Sequence, residues 1–168
     1  MQRVCVVGNL ASGKSYFAKL IGVRLGLPVT HLDHFYWRPD FTLCSMDEFL
    51  SQCYGVLCRE EWVMDGSYPE FNMGRRFDAA DAVFYLDMPF TFCLKHMFKR
   101  RSKVRDDFPA NQRHVSPALV LLIVARVALF KLIDGPFIMN AARNSETPFI
   151  RIRTWADEEA ALERLCGG

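Results

Sequence analysis

Residues 8–15 combine glycine, lysine and serine at the spacing that binds phosphate: they read Gly-Asn-Leu-Ala-Ser-Gly-Lys-Ser. The two glycines allow a tight turn and a close approach of the backbone, so that the amide groups of the loop face an anion. Lys14 can reach the β- and γ-phosphates of a nucleotide, and the Ser15 hydroxyl can hold Mg²⁺. We therefore expect ATP with Mg²⁺ to bind at Gly8, Asn9, Leu10, Ala11, Ser12, Gly13, Lys14, Ser15 and Tyr16.

The elements around this loop agree with the motif. The apolar run Arg3–Val7 predicts a buried strand, and Lys14–Leu25 predicts a helix that Gly26 and Pro28 end. A chance glycine-rich turn would not require this strand–loop–helix context, which is the context that the phosphate-binding motif needs.

Three further predicted strands end in aspartate. Residues 29–32 lead to Asp33, residues 62–64 to Asp65, and residues 82–86 to Asp87. Apolar strands that alternate with helices indicate an α/β fold with a parallel sheet covered on both faces, and ligands of such sheets bind beyond the carboxyl ends of the strands. A carboxylate there can order Mg²⁺ or accept a substrate proton. The alternative for any one of these aspartates is a helix cap or a solvated loop.

The second half of the chain continues the alternation. We predict a helix over residues 90–101, a polar segment over 102–115, and a helix that begins at Ser116-Pro117 and ends at Gly135-Pro136. A fifth strand covers residues 149–152, and Thr154 caps a last helix that extends to Cys166. The sequence shows no internal repeat or linker, so we expect residues 1–168 to form one domain.

Composition restricts the class of protein. The 168 residues are 51% hydrophobic and carry a net charge of only +2, which is typical of a globular chain and disfavours nucleic-acid binding except at a local patch. The six cysteines form no Cys-x-x-Cys pair, so we expect buried thiols rather than zinc. The chain enters a strand at once, without a secretory signal, and its most apolar stretch is too short for a membrane span; we expect a cytoplasmic protein.

Four segments carry a resemblance to a known family: Gly8–Ser15, Pro28–Asp33, Trp62–Tyr68 and Ala80–Pro89. In this order they resemble the adenylate-kinase-like P-loop proteins of the DNA topology modulation, FlaR-related family. The likeness extends to about Arg105 and resumes at the last strand and helix. The chain departs from the family pattern at Phe90, which replaces a basic residue, and over about 106–144, which is apolar where an arginine-rich stretch is expected.

The resemblance implies a three-layer nucleoside-kinase fold, with strand order 2-3-1-4-5 and a lid at about 100–115. It implies that Asp33 faces the phosphoryl acceptor, that Asp65 is linked to Mg²⁺, and that Arg76 contacts the substrate. Arg101 and Arg105 match the basic start of the lid. Fold analogy also puts Arg153, after the fifth strand, beside the adenine base.

Several residues keep more than one interpretation. The basic cluster from Lys95 to Arg105 fits a lid that clamps the triphosphate, a patch that contacts nucleic acid, or a solvated helix face. Tyr36 fits an acceptor pocket or the core, and His31 and His34 fit pocket lining or plain packing.

Two functions follow from these residues. The first is a phosphotransferase that moves the γ-phosphoryl group of ATP to a small acceptor, either a nucleotide or another small molecule. The second is a nucleotide-binding regulator, associated with DNA as the family name suggests. No Asn-Lys-x-Asp tetrad for guanine occurs, which disfavours a G-protein switch.

Overall fold

A computed structural model describes residues 1–38, 42–69, 71, 73–100 and 117–165. Its five strands are parallel, in the order β2-β3-β1-β4-β5, so the predicted fold class and strand order are confirmed. The elements are β1 (Arg3–Gly8), α1 (Lys14–Leu25), β2 (Val29–His31), α2 (Asp33–Tyr36), α3 (Met46–Leu57), β3 (Trp62–Asp65), α4 (Met73–Ala79), β4 (Ala82–Leu86), α5 (Phe90–Arg100), α6 (Pro117–Asn144), β5 (Phe149–Ile152) and α7 (Trp155–Arg164).

The central strand β1 shows why helices cover both faces of the sheet. Val4 and Val6 belong to one buried cluster, which packs on α1, α5 and α7, whereas Cys5 and Val7 belong to a second, which packs on α3 and α4. Successive side chains of a strand point to opposite faces, so a strand with two apolar faces must be buried on both.

Helix α6 differs from its prediction, because it runs unbroken through Gly135 and Pro136. Its Phe130, Ile138 and Ala141 are buried in the cluster beside α3 and α4. Burial of these side chains on both sides of the Gly-Pro pair offsets the missing N–H of proline, and Pro136 itself is exposed. The prediction that the helix ends there is wrong, since tertiary burial outweighs local propensity.

Helix α6 also reaches the other layer, because Val127 belongs to the cluster beside α1 and α5. The side-chain amide of Asn9 donates to the Val127 carbonyl at 2.9 Å, so this part of α6 lies against the phosphate-binding loop.

The end of β2 differs from its prediction as well. β2 ends at His31, and Asp33 begins a short helix rather than ending a strand. Thr154 caps α7 as predicted, through a reciprocal pair of hydrogen bonds with Asp157, while Cys166 lies outside the described residues.

Among the described helices, none combines the length and the apolar character that crossing a membrane requires.

Candidate active site

The loop between β1 and α1 has a backbone that only glycine permits at two positions. A Cβ at Gly8 would lie 2.8 Å from the Leu86 carbonyl oxygen, and Gly13 has a left-handed φ of 98°. Helix α1 has neither a side-chain cap nor an acidic residue in its first turn, so its first amide groups and the positive end of its dipole are left for an anion.

The side chains of this loop differ in their exposure. Lys14 and Ser15 are half-buried in the first turn of α1, and Asn9 and Ser12 are buried. Leu10 and Tyr16 are exposed, so they lie on the outer side of the loop.

A second loop, after β3, is attached to the first by Ser67. The Ser67 hydroxyl accepts a hydrogen bond from the Gly8 N–H at 2.9 Å and donates one to the Gly8 carbonyl at 2.7 Å. The Gly66 N–H donates to the Val6 carbonyl oxygen at 3.1 Å. The first glycine of the phosphate-binding loop is therefore held by the residues that follow Asp65.

Arg76 supports this second loop from the interior. It is fully buried, and its guanidinium donates to the carbonyl oxygens of Gly66 and Ser67 and lies 5.2 Å from the centre of the Phe71 ring. A side chain that is enclosed and bonded in this way holds the loop. The full burial of Arg76 was not evident from the sequence, where charged residues are expected to be exposed, and its role in substrate binding stays a prediction.

Asp65 lies at the end of β3, beside β2 and β1, where His31 and Val6 are its register partners. His31 Nδ1 and Asp65 Oδ2 are 2.7 Å apart. The other carboxylate oxygen, Oδ1, is buried and has no hydrogen-bond partner in the described part of the chain.

This donor set fits Mg²⁺. The ion takes one or two carboxylates together with phosphate oxygens and water, so a complete cage of protein ligands is not required. The free Oδ1 of Asp65 and the hydroxyl of Ser15 are oxygen donors of the kind that the ion prefers, and no cluster of three His, Cys, Asp or Glu side chains occurs in the described ranges.

Asp33 lies in the first turn of α2, which follows the edge strand β2 next to β3. The Tyr68 hydroxyl donates to Asp33 Oδ1 at 2.7 Å, and burial together with the Asp33 charge raises the pKa of Tyr68, so this phenol stays a donor. Tyr36 packs against Tyr68 and Phe49, with ring centres 4.9 and 5.3 Å away. Tyr36, predicted to line an acceptor pocket, thus forms an aromatic wall beside Asp33.

Asp87 does not resemble a metal ligand. Its carboxylate is 2.8 Å from Lys131 Nζ, 2.9 Å from Arg151 Nε and 3.7 Å from Arg153 Nε. Burial alone would raise the pKa of Asp87, but hydrogen bonds and charge from Lys131 and Arg151 outweigh it and lower the pKa. These cations occupy the oxygens that Mg²⁺ would need, which favours an ion-pair role for Asp87 over the metal-ordering or proton-accepting roles that a carboxylate at a strand end can have.

Arg153 borders a cavity of about 410 Å³ that is lined by α5, the end of β4 and the start of α7. Phe92 and Trp155 contact each other in this lining, with ring centres 5.4 Å apart. An exposed ring face beside a guanidinium group is a surface on which a planar base can stack. The placement of Arg153 beside an adenine base stays a prediction.

Four contacts in this site involve residues without a predicted role: Ser67, Tyr68, Lys131 and Arg151. The sequence did contain a signal for the first two, since they follow Asp65 within Trp62–Tyr68, one of the segments that carry the resemblance. Lys131 and Arg151 had none, because their proximity to Asp87 depends on tertiary packing. Arg101 and Arg105, predicted to start the lid, lie outside the described residues.

Comparison of the coordinates with solved structures identifies several kinases. One is a shikimate kinase from Acinetobacter baumannii in complex with shikimate, with 14% identity and a TM-score of 0.63; the match covers 98% of this chain and 91% of that chain. Another is a shikimate kinase from Bacteroides thetaiotaomicron, with 15% identity and a TM-score of 0.62; the match covers 98% of this chain and 95% of that chain. A third is a gluconokinase from Sinorhizobium meliloti, with 14% identity and a TM-score of 0.55; the match covers 98% of this chain and 93% of that chain.

The chain has the nucleoside-kinase fold. At this level of identity the likeness shows the fold alone. No protein-family profile matches the sequence, and neither does any curated protein, so membership of the DNA topology modulation family has no further support.

Proposed function

We propose that this chain is a kinase that transfers the γ-phosphoryl group of ATP to a hydroxyl group of a small molecule. One observation carries the proposal: residues 65–68 connect the phosphate-binding loop, the candidate metal carboxylate and the candidate acceptor carboxylate. Asp65 contacts His31, Ser67 holds Gly8, and Tyr68 donates to Asp33. Phosphoryl transfer is mainly a problem of positioning, so a rigid connection between donor and acceptor suits it.

The residues divide the work as follows. The amides of residues 8–15 and the Lys14 ammonium bind the triphosphate, and Mg²⁺, held by Ser15 and Asp65, would neutralise charge on its phosphates. Asp33 accepts the proton of the acceptor hydroxyl as the oxygen attacks the γ-phosphorus, and ADP leaves with the electrons of the broken P–O bond. Tyr68 occupies one oxygen of Asp33 and leaves the other for that proton.

The chemistry of Asp33 favours an alcohol over a nucleoside monophosphate. A hydroxyl has a proton to lose, whereas an acceptor phosphate is an anion that a carboxylate repels. The kinases of similar fold are named for shikimate and gluconate, both of which carry hydroxyl groups. The DNA-associated regulator gains no comparable support, because the described cations near Asp87 are held in ion pairs with it: Lys131, Arg151 and Arg153.

A phosphotransfer screen tests the proposal. Purified protein is incubated with Mg²⁺ and ATP labelled at the γ-phosphate, together with panels of polyols, hydroxy acids, sugars, vitamins and nucleoside monophosphates. We expect label transfer to a hydroxyl compound, and loss of both transfer and ATP binding in Lys14→Ala. Lys19→Ala, an exposed lysine of the same helix, is the matched control. A wild-type protein that does not bind ATP would refute the proposal.

A further inference from the structure

The carboxylate of Asp87 has more cationic neighbours than one negative charge requires. Arg151 approaches it through two nitrogens and also lies 5.8 Å from the centre of the Tyr85 ring, so it is fixed from two directions. Lys131 then adds a second full positive charge on the opposite oxygen, and Arg153 adds a third more distantly. Asp134, the other buried acid nearby, is already paired with Arg126.

Lys131 comes from the part of α6 that lies against the phosphate-binding loop. It is one helical turn after Val127, whose carbonyl accepts the hydrogen bond from Asn9. Burial raises the pKa of Cys93 to about 11, and the charges of both Lys14 and Lys131 act against that rise.

The Lys131 side chain is 55% exposed, whereas that of Asp87 is 3% exposed. The ammonium group therefore has space to leave Asp87, while the carboxylate is fixed. If it leaves, Asp87 keeps its contact with Arg151 and is not left as an uncompensated buried charge.

We propose that Lys131 is a second phosphate-binding lysine of the nucleotide site, and that it moves from Asp87 to a phosphate oxygen when ATP binds. The inference rests on the proposed function, since it assumes that ATP occupies the loop at residues 8–15. A triphosphate carries several negative charges close together, so it competes with a single carboxylate for the ammonium group. Asp87 is then the resting partner of the lysine, a competitor that the nucleotide has to displace.

Calorimetry with three probes tests this inference: ATP, inorganic tripolyphosphate and adenosine. In Lys131→Gln we expect affinity for ATP and for tripolyphosphate to fall about tenfold, the loss of one charge-assisted contact, with affinity for adenosine unchanged. In Asp87→Asn the lysine has no charged partner to leave, so we expect ATP to bind several-fold more tightly. Lys19→Gln is the matched control. Thermal melting of each variant confirms that it is folded, and the exposed Lys131 makes its replacement tolerable.

ATP affinity should change in opposite directions in the two variants, and this distinguishes the proposed role from that of a structural ion pair. Equal ATP affinity in wild type and Lys131→Gln would overturn the inference while leaving the proposed function intact. An equal loss for adenosine, or weaker ATP binding in an Asp87→Asn protein that melts like wild type, would also overturn it. If the wild type binds neither ATP nor tripolyphosphate, both proposals fall together.

Discussion

The Ser67 hydroxyl is hydrogen-bonded to both the N–H and the carbonyl of Gly8, at 2.9 and 2.7 Å. One small side chain thus fixes the orientation of the peptide groups at the start of the phosphate-binding loop. The loop would otherwise have glycine's wide choice of backbone conformations at this point.

Ser67→Ala should therefore weaken both folding and ATP binding. We expect a loss of stability of about 1–2 kcal/mol for the two missing hydrogen bonds, and a several-fold weaker ATP affinity because the loop is no longer preorganised. Chemical denaturation and calorimetry measure the two effects. Ser51→Ala, an exposed serine on α3, is the control, and equal ATP affinity in both variants would contradict the role given to Ser67.

Asp33 and Asp65 should act at different steps. Asp33→Asn removes the group proposed to take the proton of the substrate hydroxyl, so kcat should fall by about 10²-fold or more with ATP affinity retained. Asp65→Asn removes the candidate metal carboxylate, so the Mg²⁺ concentration needed for half-maximal ATP binding should rise. Steady-state kinetics and metal titrations distinguish these effects, and full turnover in both variants would show that the assignment is wrong.

Stability should depend on pH through Glu158. This side chain is buried in the first turn of α7, one oxygen has no described partner, and burial raises its pKa from 4.5 to about 7. The folded protein therefore holds the proton more tightly than the unfolded chain does. The resulting contribution to the stability of the fold is complete below pH 4.5 and is lost as the pH rises through about 7.

Glu158→Gln should abolish this part of the pH dependence. At pH 8 we expect the variant to be more stable than wild type by about 1–3 kcal/mol, because the neutral amide avoids burying a charge. Denaturation curves between pH 4.5 and 8 measure the slope, and Glu159→Gln, which is exposed, should leave it unchanged. The same slope in Glu158→Gln and wild type would contradict the assignment.

The continuity of α6 can be tested at its Gly-Pro pair. Pro136→Ala restores a missing backbone donor inside a helix and should stabilise the protein by about 1–2 kcal/mol, since part of the gain is lost to the more flexible unfolded chain. A Cβ at Gly135 would lie 3.8 Å from the Phe130 carbonyl, an ordinary contact, so Gly135→Ala should stabilise it too. Destabilisation by both changes would indicate a break in the helix.

Sequence patterns predicted the features that depend on neighbours along the chain. The apolar strands, the phosphate-binding loop and the cap at Thr154 each follow from a few consecutive residues, and the carboxyl ends of parallel strands bring Asp33 and Asp65 to one edge. The rest depends on contacts between distant segments. The pairing of His31 with Asp65 requires the register of β2 on β3. The burial of Arg76 and the contact of Lys131 with Asp87 require packing of helices that the sequence does not specify locally.

Residues 65–68 also restrict how this protein could acquire a different acceptor. Because one stretch of four residues contacts His31, Gly8 and Asp33, a change made in it for the sake of a new acceptor also alters the grip on the nucleotide. Variation that leaves ATP use intact has to come from half-buried residues around Asp33, such as Tyr36, since Phe49 behind it is fully buried in the core. A library built to redirect specificity should therefore keep residues 65–68 and Phe49 constant and randomise Tyr36.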